Sequence, residues 1–191
     1  FSTTGGLEGA YAVKTGNLKS FSEQVLVSCD TSDNGCNGGW MDAAFAWTTS
    51  NGGIVLEDTY PYVSGNGMVP ACDKSKMADT VSGSAPASYV DVQQGSVSAL
   101  MDAVVQQPVS VAIQANQMAF QHYSSGVITS GCGQNLDHGV LNVGYGTEDG
   151  TDFWKLKNSW GPSWGAEGYV LVERSDANVC GILSAASYPT L

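Results

Sequence analysis

Leu136-Asp137-His138-Gly139-Val140 and, further on, Lys157-Asn158-Ser159-Trp160-Gly161-Pro162-Ser163-Trp164-Gly165 are the two most informative stretches of this chain. His138 stands at the mouth of a run, Gly139–Tyr145, that reads as a strand. An imidazole at a strand end, beside glycine, can project into a cleft while the strand fixes its backbone. Asn158 ends a second strand, and two tryptophans and two glycines crowd around it. A carboxamide oxygen can accept an imidazole N–H and so select its tautomer and orientation. A Trp face laid over that bond would keep water from competing for it. Taken singly, His138 reads as a satisfied structural histidine and Asn158 as a turn residue. On neighbouring strands the pair reads as an oriented imidazole. The other histidine, His122 in Phe120-Gln121-His122-Tyr123, reads as an exposed or structurally hydrogen-bonded ring.

Outward from these stretches the second half is strand-rich. Val109–Ala115, Gly139–Tyr145, Asp152–Lys157 and Gly168–Glu173 are separated by Gly and acidic turns. The first half reads as helices and loops. Leu7 and Tyr11 share a face of a helix that Gly16 ends, and no cap residue precedes Phe1, so this helix reads as lacking its first turn. Ser22 followed by Glu23 opens a short second helix. Trp40, Ala43, Ala44 and Trp47 mark a third, which stops before Gly52-Gly53. From Gly52 to Gly95 the pattern is irregular. Ser96 then caps the clearest helix, with Val97, Leu100, Met101, Val104 and Val105 on one face, closed by Pro108. Helices first and strands second imply an α+β chain of two packed units with a cleft between them.

Composition narrows the function classes. The 191 residues allow one large domain or two small ones at about 150 residues per domain. Eighteen Asp and Glu against seven Lys and Arg give a net charge of −11, which argues against a nucleic-acid partner. No apolar run reaches the ~20 residues that span a bilayer, and no basic cluster supports membrane-surface binding. Five cysteines, at 29, 36, 72, 132 and 180, lie in Gly- and Asn-rich surroundings that suit loop staples in an oxidising compartment. They form no Cys-x-x-Cys pair, and with two histidines a zinc set is not expected. The count is odd. Either one thiol is a free, buried small hydrophobe, or its partner lies outside these residues.

Several segments together resemble the papain-like cysteine proteases. These are Ser22-Glu23-Gln24-Val25-Leu26-Val27-Ser28-Cys29-Asp30, Gly35-Cys36-Asn37-Gly38-Gly39, Leu136-Asp137-His138-Gly139-Val140, Val143-Gly144-Tyr145-Gly146 and Lys157-Asn158-Ser159-Trp160-Gly161. The end, Cys180-Gly181-Ile182-Leu183-Ser184-Ala185-Ala186-Ser187-Tyr188-Pro189, is similar to the cathepsin-L branch. The resemblance implies a papain-like two-domain fold, with residues 1–87 mainly helical and 88–191 β-rich, barrel-like and carrying the catalytic residues. It implies His138 as the catalytic imidazole, Asn158 as its orienter and Trp160 as the shield over both. It further implies disulfides Cys29–Cys72 and Cys132–Cys180, with Cys36 unpaired because its family partner lies just upstream of the nucleophile.

In the family, Phe-Ser closely follows the segment that holds the nucleophile, so the attacking Cys is expected about three positions before Phe1. The five cysteines present all match disulfide positions, and the chain alone is therefore expected to be inactive. By the same resemblance Gly38, Gly39, Trp40, Met41, Ala112, Leu136, Asp137 and Ala185 would bind substrate. Apolar residues at 40, 41, 112, 136 and 185 imply an apolar or aromatic preference two residues before the scissile bond. The implied partners are peptide and protein substrates, a propeptide and cystatin-like inhibitors, with no cofactor and no metal. A monomer in a lysosome, vacuole or extracellular space is expected. The alternative is a catalytically dead or Ser-substituted, silicatein-like homologue acting as a binding or structural protein.

Overall fold

A computed structural model describes all 191 residues, Phe1–Leu191, and they cluster into two compact units. The first comprises Phe1, residues 3–90 and 189–191; the second comprises Ser2 and residues 91–188.

The first unit is built on three helices. In α1 (Ser2–Thr15) Leu7 and Tyr11 are buried, and Tyr11 meets Phe21 edge-on at 5.6 Å. Gly16 ends the helix at φ 75°, a left-handed conformation that glycine adopts without strain, and returns its N–H to Ala12 O. Ser22 caps α2 (Glu23–Cys29): its Oγ accepts the Val25 N–H and donates to Tyr60 O at 2.6 Å. Gln24, wholly buried, holds the loop after it. Its Oε1 accepts the N–H groups of Val63 and Ser64, and its Nε2 donates to the hydroxyls of Ser28 and Ser64.

The third helix, α3 (Met41–Ser50), begins one residue later than its sequence pattern suggests and buries Met41, Ala44, Phe45 and Thr48. Trp40 is left outside it, 53% exposed. The expected face of 40, 43, 44 and 47 was displaced because tryptophan's weight in the pattern outranked the less conspicuous Phe45 and Thr48. Strand β1 (Ser88–Asp91) lies in a stretch read as irregular. The Ala87 N–H beside it donates to Thr190 O, and Ser88 O accepts the Thr190 hydroxyl. The disulfide Cys29–Cys72 ties the end of α2 to the loop at 72.

The second unit is a twisted sheet with helix α4 (Val97–Gln106) packed on it. Ser96 caps α4 through the Ala99 N–H, and Leu100, Ala103 and Val104 face inward. Val105 does not: it is 70% exposed, because the apolar stripe drifts off the face before the helix ends. The strands here are β2 (Val109–Ile113), β3 (Val127–Ile128), β4 (His138–Glu148), β5 (Thr151–Lys157), β6 (Tyr169–Glu173) and β7 (Ala186–Thr190). Their order is β7-β2-β4-β5-β6-β3, antiparallel except for the β3–β6 pair. A single-turn helix, α5 (Met118–Gln121), precedes β3.

Each residue of β2 is buried, which makes it the centre of the core together with Phe120, Trp154, Leu156, Val170, Val172 and Ile182. Two of the strands, β3 and β7, escaped the sequence pattern. The first has two residues, and the second alternates too little to show a period of two. A second disulfide, Cys132–Cys180, closes this unit. Cys36 is free and exposed, so it is not a buried apolar filler.

Candidate active site

His138 is the first residue of β4 and pairs with Ile113 at the end of β2. Its backbone is fixed from both sides. Asp137, just before it, donates its N–H to Ile113 O at 2.9 Å, and its carboxylate accepts the Ala115 N–H at 2.7 Å. Asn158 follows the last residue of β5, and the β4–β5 register sets Leu141 opposite Lys157. Antiparallel pairing therefore carries two residues twenty apart in sequence to one sheet end. His138 Nε2 and Asn158 Oδ1 lie 2.8 Å apart.

The tautomer follows from a third partner. The Ser159 N–H donates to the same Asn158 atom at 2.8 Å, so that atom must be the carbonyl oxygen. An oxygen that only accepts requires His138 Nε2 to carry hydrogen. Nδ1 is then the ring atom left to exchange a proton. Asn158 itself is buried, 8% exposed, and its backbone N–H is held by Gly168 O at 2.9 Å.

Trp160 stacks on the imidazole, ring centroids 5.1 Å apart and planes 26° apart. It is braced edge-on by Phe120 at 5.5 Å and Trp164 at 5.1 Å, and Trp164 Nε1 is anchored on Gln121 O. Gly165 makes this brace fit: at φ 60° a Cβ would stand 2.6 Å from Tyr169 O. Burial lowers the His138 pKa from its ordinary value; the Asn158 hydrogen bond and the nearby Asp137 carboxylate oppose that shift. The ring is thus neutral unless a neighbouring anion supports its protonated form.

The other expected substrate contacts of this unit gather at the same end of β2 and β4. Ala112 is buried, pairs with Gly139 and donates its N–H to Ala185 O at 2.9 Å. Leu136 is half-buried against Gly181, where an added Cβ would fall 2.9 Å from Leu136 Cδ2. Buried Gln114 accepts the Asn135 N–H at 3.0 Å and, with Cys132–Cys180, pins the loop that carries Leu136.

In the first unit Gly38 is exposed at φ 93°, and a Cβ on Gly39 would collide with the Asp33 carboxyl, which accepts the Trp40 N–H at 2.9 Å. Met41 lies in the core of its own unit. His122 is exposed, and no group of three or more His, Cys, Asp or Glu is placed to hold a metal. Three features escaped the sequence reading: the Ser159 N–H, the Phe120–Trp164 brace and Gln114. Trp164, four residues after Trp160, was the available signal for the brace.

Comparison with known proteins matches these features to one group. The sequence profile of the papain family of cysteine proteases matches residues 1–190. Germination-specific cysteine protease 1 of Arabidopsis thaliana is 48% identical over 194 residues, covering 99% of this chain and 50% of that protein. The chain thus spans about half the length of the curated relatives it matches. Among solved structures, the ragweed pollen allergen Amb a 11 cysteine protease in its proform superposes with a TM-score of 0.94 at 41% identity, covering 100% of this chain and 58% of that one. Bromelain from Ananas comosus, in complex with the E64 inhibitor, superposes with a TM-score of 0.90 at 36% identity, covering 100% and 87%. In sequence and in its α+β fold, the chain belongs to the papain family of cysteine proteases.

Proposed function

We propose that this chain is part of a cysteine endopeptidase in which His138 is the general acid and base, Asn158 its orienter and Trp160 its shield. The observation that carries this reading is the shared Asn158 oxygen, which accepts both His138 Nε2–H and Ser159 N–H. It leaves Nδ1 as the proton-exchanging atom, and it does so without a third charge.

The nucleophile is a thiol outside these 191 residues. Four cysteines are in disulfides, and the fifth, the free Cys36, corresponds by resemblance to a disulfide position of the family and not to its nucleophile. Ionised beside the His138 imidazolium, that thiolate attacks the substrate carbonyl. Nδ1–H then protonates the leaving amine, and the neutral ring activates the water that clears the acyl-enzyme. Neutral Asn158 suits the ion pair, since a carboxylate there would compete with the thiolate for the imidazolium. The chain alone is inactive.

Substrates are peptides with an apolar residue two positions before the scissile bond. Ala112, Leu136 and Ala185 support that preference, since no charged side chain is among them. Gly38 and Gly39 offer backbone to an extended peptide and exposed Trp40 apolar surface, while Met41 is buried and supports them from beneath. Asp137 acts through its main chain, its carboxylate being taken by Ala115 N–H. The proform of the ragweed protease supports a propeptide as a partner, and the bromelain complex supports inhibition by E64. The two disulfides suit a vacuolar or extracellular setting.

The test compares the full-length protein with the 191-residue chain on a fluorogenic peptide bearing Leu at that position. Full-length protein should turn it over, lose activity to E64 and lose it again on His138→Ala. Turnover by the 191-residue chain alone, or by His138→Ala, would overturn the reading.

A further inference from the structure

We propose that a cavity on the first unit, opened between the C-terminal end of α3 and the loop at 72–78, binds a small aromatic carboxylic acid that also carries a hydrogen-bond donor. The cavity has a volume of about 380 Å³. Ligand sites run from roughly 300 to 1,000 Å³, so this one takes a single ring with a short acid chain. It shares no lining residue with those assigned to peptide cleavage.

Its walls are apolar and soft. The half-buried Trp47 ring, Met77 and the Cys29–Cys72 disulfide line it, and Met77 Sδ touches Cys72 Sγ at 3.3 Å. Sulfur beside an aromatic ring is a favourable contact, so these walls select a flat ring over a sugar or a free amino acid.

The polar lining defines the ligand's two ends. Lys74 forms no ion pair, and the acid next to it, Asp73, is committed to the Ser75 N–H and hydroxyl at 3.0 and 2.6 Å. Lys74 is exposed at the rim of this apolar cavity, where its ammonium, in no salt bridge, can receive an anion. Asn51 gives one of its two amide N–H groups to Gly53 O, and Ser50 gives its hydroxyl proton to Ala46 O. Ser50 thus presents an acceptor and Asn51 a carbonyl oxygen beside its second N–H, and these two acceptors suit an O–H or N–H on the ligand. The molecule as a whole carries −11 and repels anions, so acid binding would be local to Lys74.

Isothermal titration of the 191-residue chain with para-hydroxyphenylacetate, its primary amide and phenylacetate tests this. The hydroxy acid should bind saturably at one site, about tenfold tighter than the amide, a difference of ~1.4 kcal/mol. Phenylacetate, lacking the donor, should bind severalfold more weakly than the hydroxy acid. Lys74→Gln should reduce the hydroxy acid to the level of its amide. Lys19→Gln, the same change of charge on the same unit away from the cavity, should leave it unchanged. Absence of saturable binding, equal affinity for acid and amide, or equal effects of the two lysine changes would each overturn the proposal.

Discussion

Asn158→Ala in the full-length protein isolates the bond on which the proposed chemistry rests. The substitution removes an acceptor that takes two N–H groups at 2.8 Å and leaves Nε2–H, on a ring stacked by Trp160, without a partner. When His138 is protonated this is a hydrogen bond to a charged donor, worth about 1.5–3 kcal/mol. At ~1.36 kcal/mol per tenfold, kcat/KM should fall by roughly one to two orders of magnitude. The loss should appear in kcat rather than KM, because the acceptor touches the imidazole and not the peptide.

The pH profile gives a second, independent readout. The bond to Asn158 raises the His138 pKa against the larger lowering by burial. Without it the imidazolium is less stable, so the alkaline limb of kcat/KM should move to lower pH. Asn158→Gln keeps a carboxamide and should recover part of both effects. Stopped-assay rates with a fluorogenic peptide across the pH range measure all of this, with circular dichroism to confirm folding. A folded Asn158→Ala enzyme within threefold of the parent at every pH would refute the orienting role.

Ala185→Glu in the full-length protein should raise cleavage of peptides with Arg at the second position before the scissile bond about fivefold over Leu, as ~1 kcal/mol of partly exposed ion pairing provides; paired substrates measure it, and no gain removes Ala185 from that subsite. Gly165→Ala should cost the 191-residue chain at least the ~1–2 kcal/mol of a left-handed residue with a Cβ, plus the collision with Tyr169 O at 2.6 Å, in urea unfolding. Alkylation without reductant, followed by peptide mapping, should label Cys36 and no other sulfur. His138 has its folded pKa lowered by burial, so the stability it contributes is complete above its unfolded value, ~6.5, and is lost as pH falls from there through the folded value. Asp30 and Glu57, whose carboxyls burial pushes up, act with the opposite sign at lower pH. Thermal melts against pH for the parent and His138→Gln separate these contributions, and identical curves would show that folding does not lower the His138 pKa.

The parts of this fold that were legible in the sequence are those where one local rule acts alone. Ser22 and Ser96 were readable as caps because an N-cap needs only a hydroxyl and the next turn's N–H groups. Gly16 was readable because a left-handed stop needs only a missing Cβ. The strands β2, β4, β5 and β6 carried enough apolar residues to declare themselves. The misplaced face of α3 and the exposure of Val105 arose where two rules compete: residue hydrophobicity suggests one stripe and tertiary packing chooses another. Strand β3 is legible only through its partner β6, since two residues have no periodicity of their own. The candidate site divides the same way. His138 and Asn158 stood out by type and position, but the Ser159 N–H is a backbone group that any residue there would supply.

Burial of His138 disfavours its cation, so the ring rests neutral with its Nε2–H fixed and its Nδ1 lone pair free. In that state it is a competent base, but it cannot hold a proton for long without an anion beside it. Asp137, the nearest acid in sequence, spends its carboxylate on the Ala115 N–H and is not positioned on the ring by any hydrogen bond. Under the proposed mechanism the charge arrives with the reacting group, since a thiol that ionises as the imidazole protonates leaves the site neutral overall. A serine in that role would pass its proton to His138 only as it attacks, and neutral Asn158 would give the resulting imidazolium no carboxylate to lean on. On that proposal, Ser in place of the nucleophile in the full-length protein should abolish turnover while leaving the His138–Asn158 bond intact.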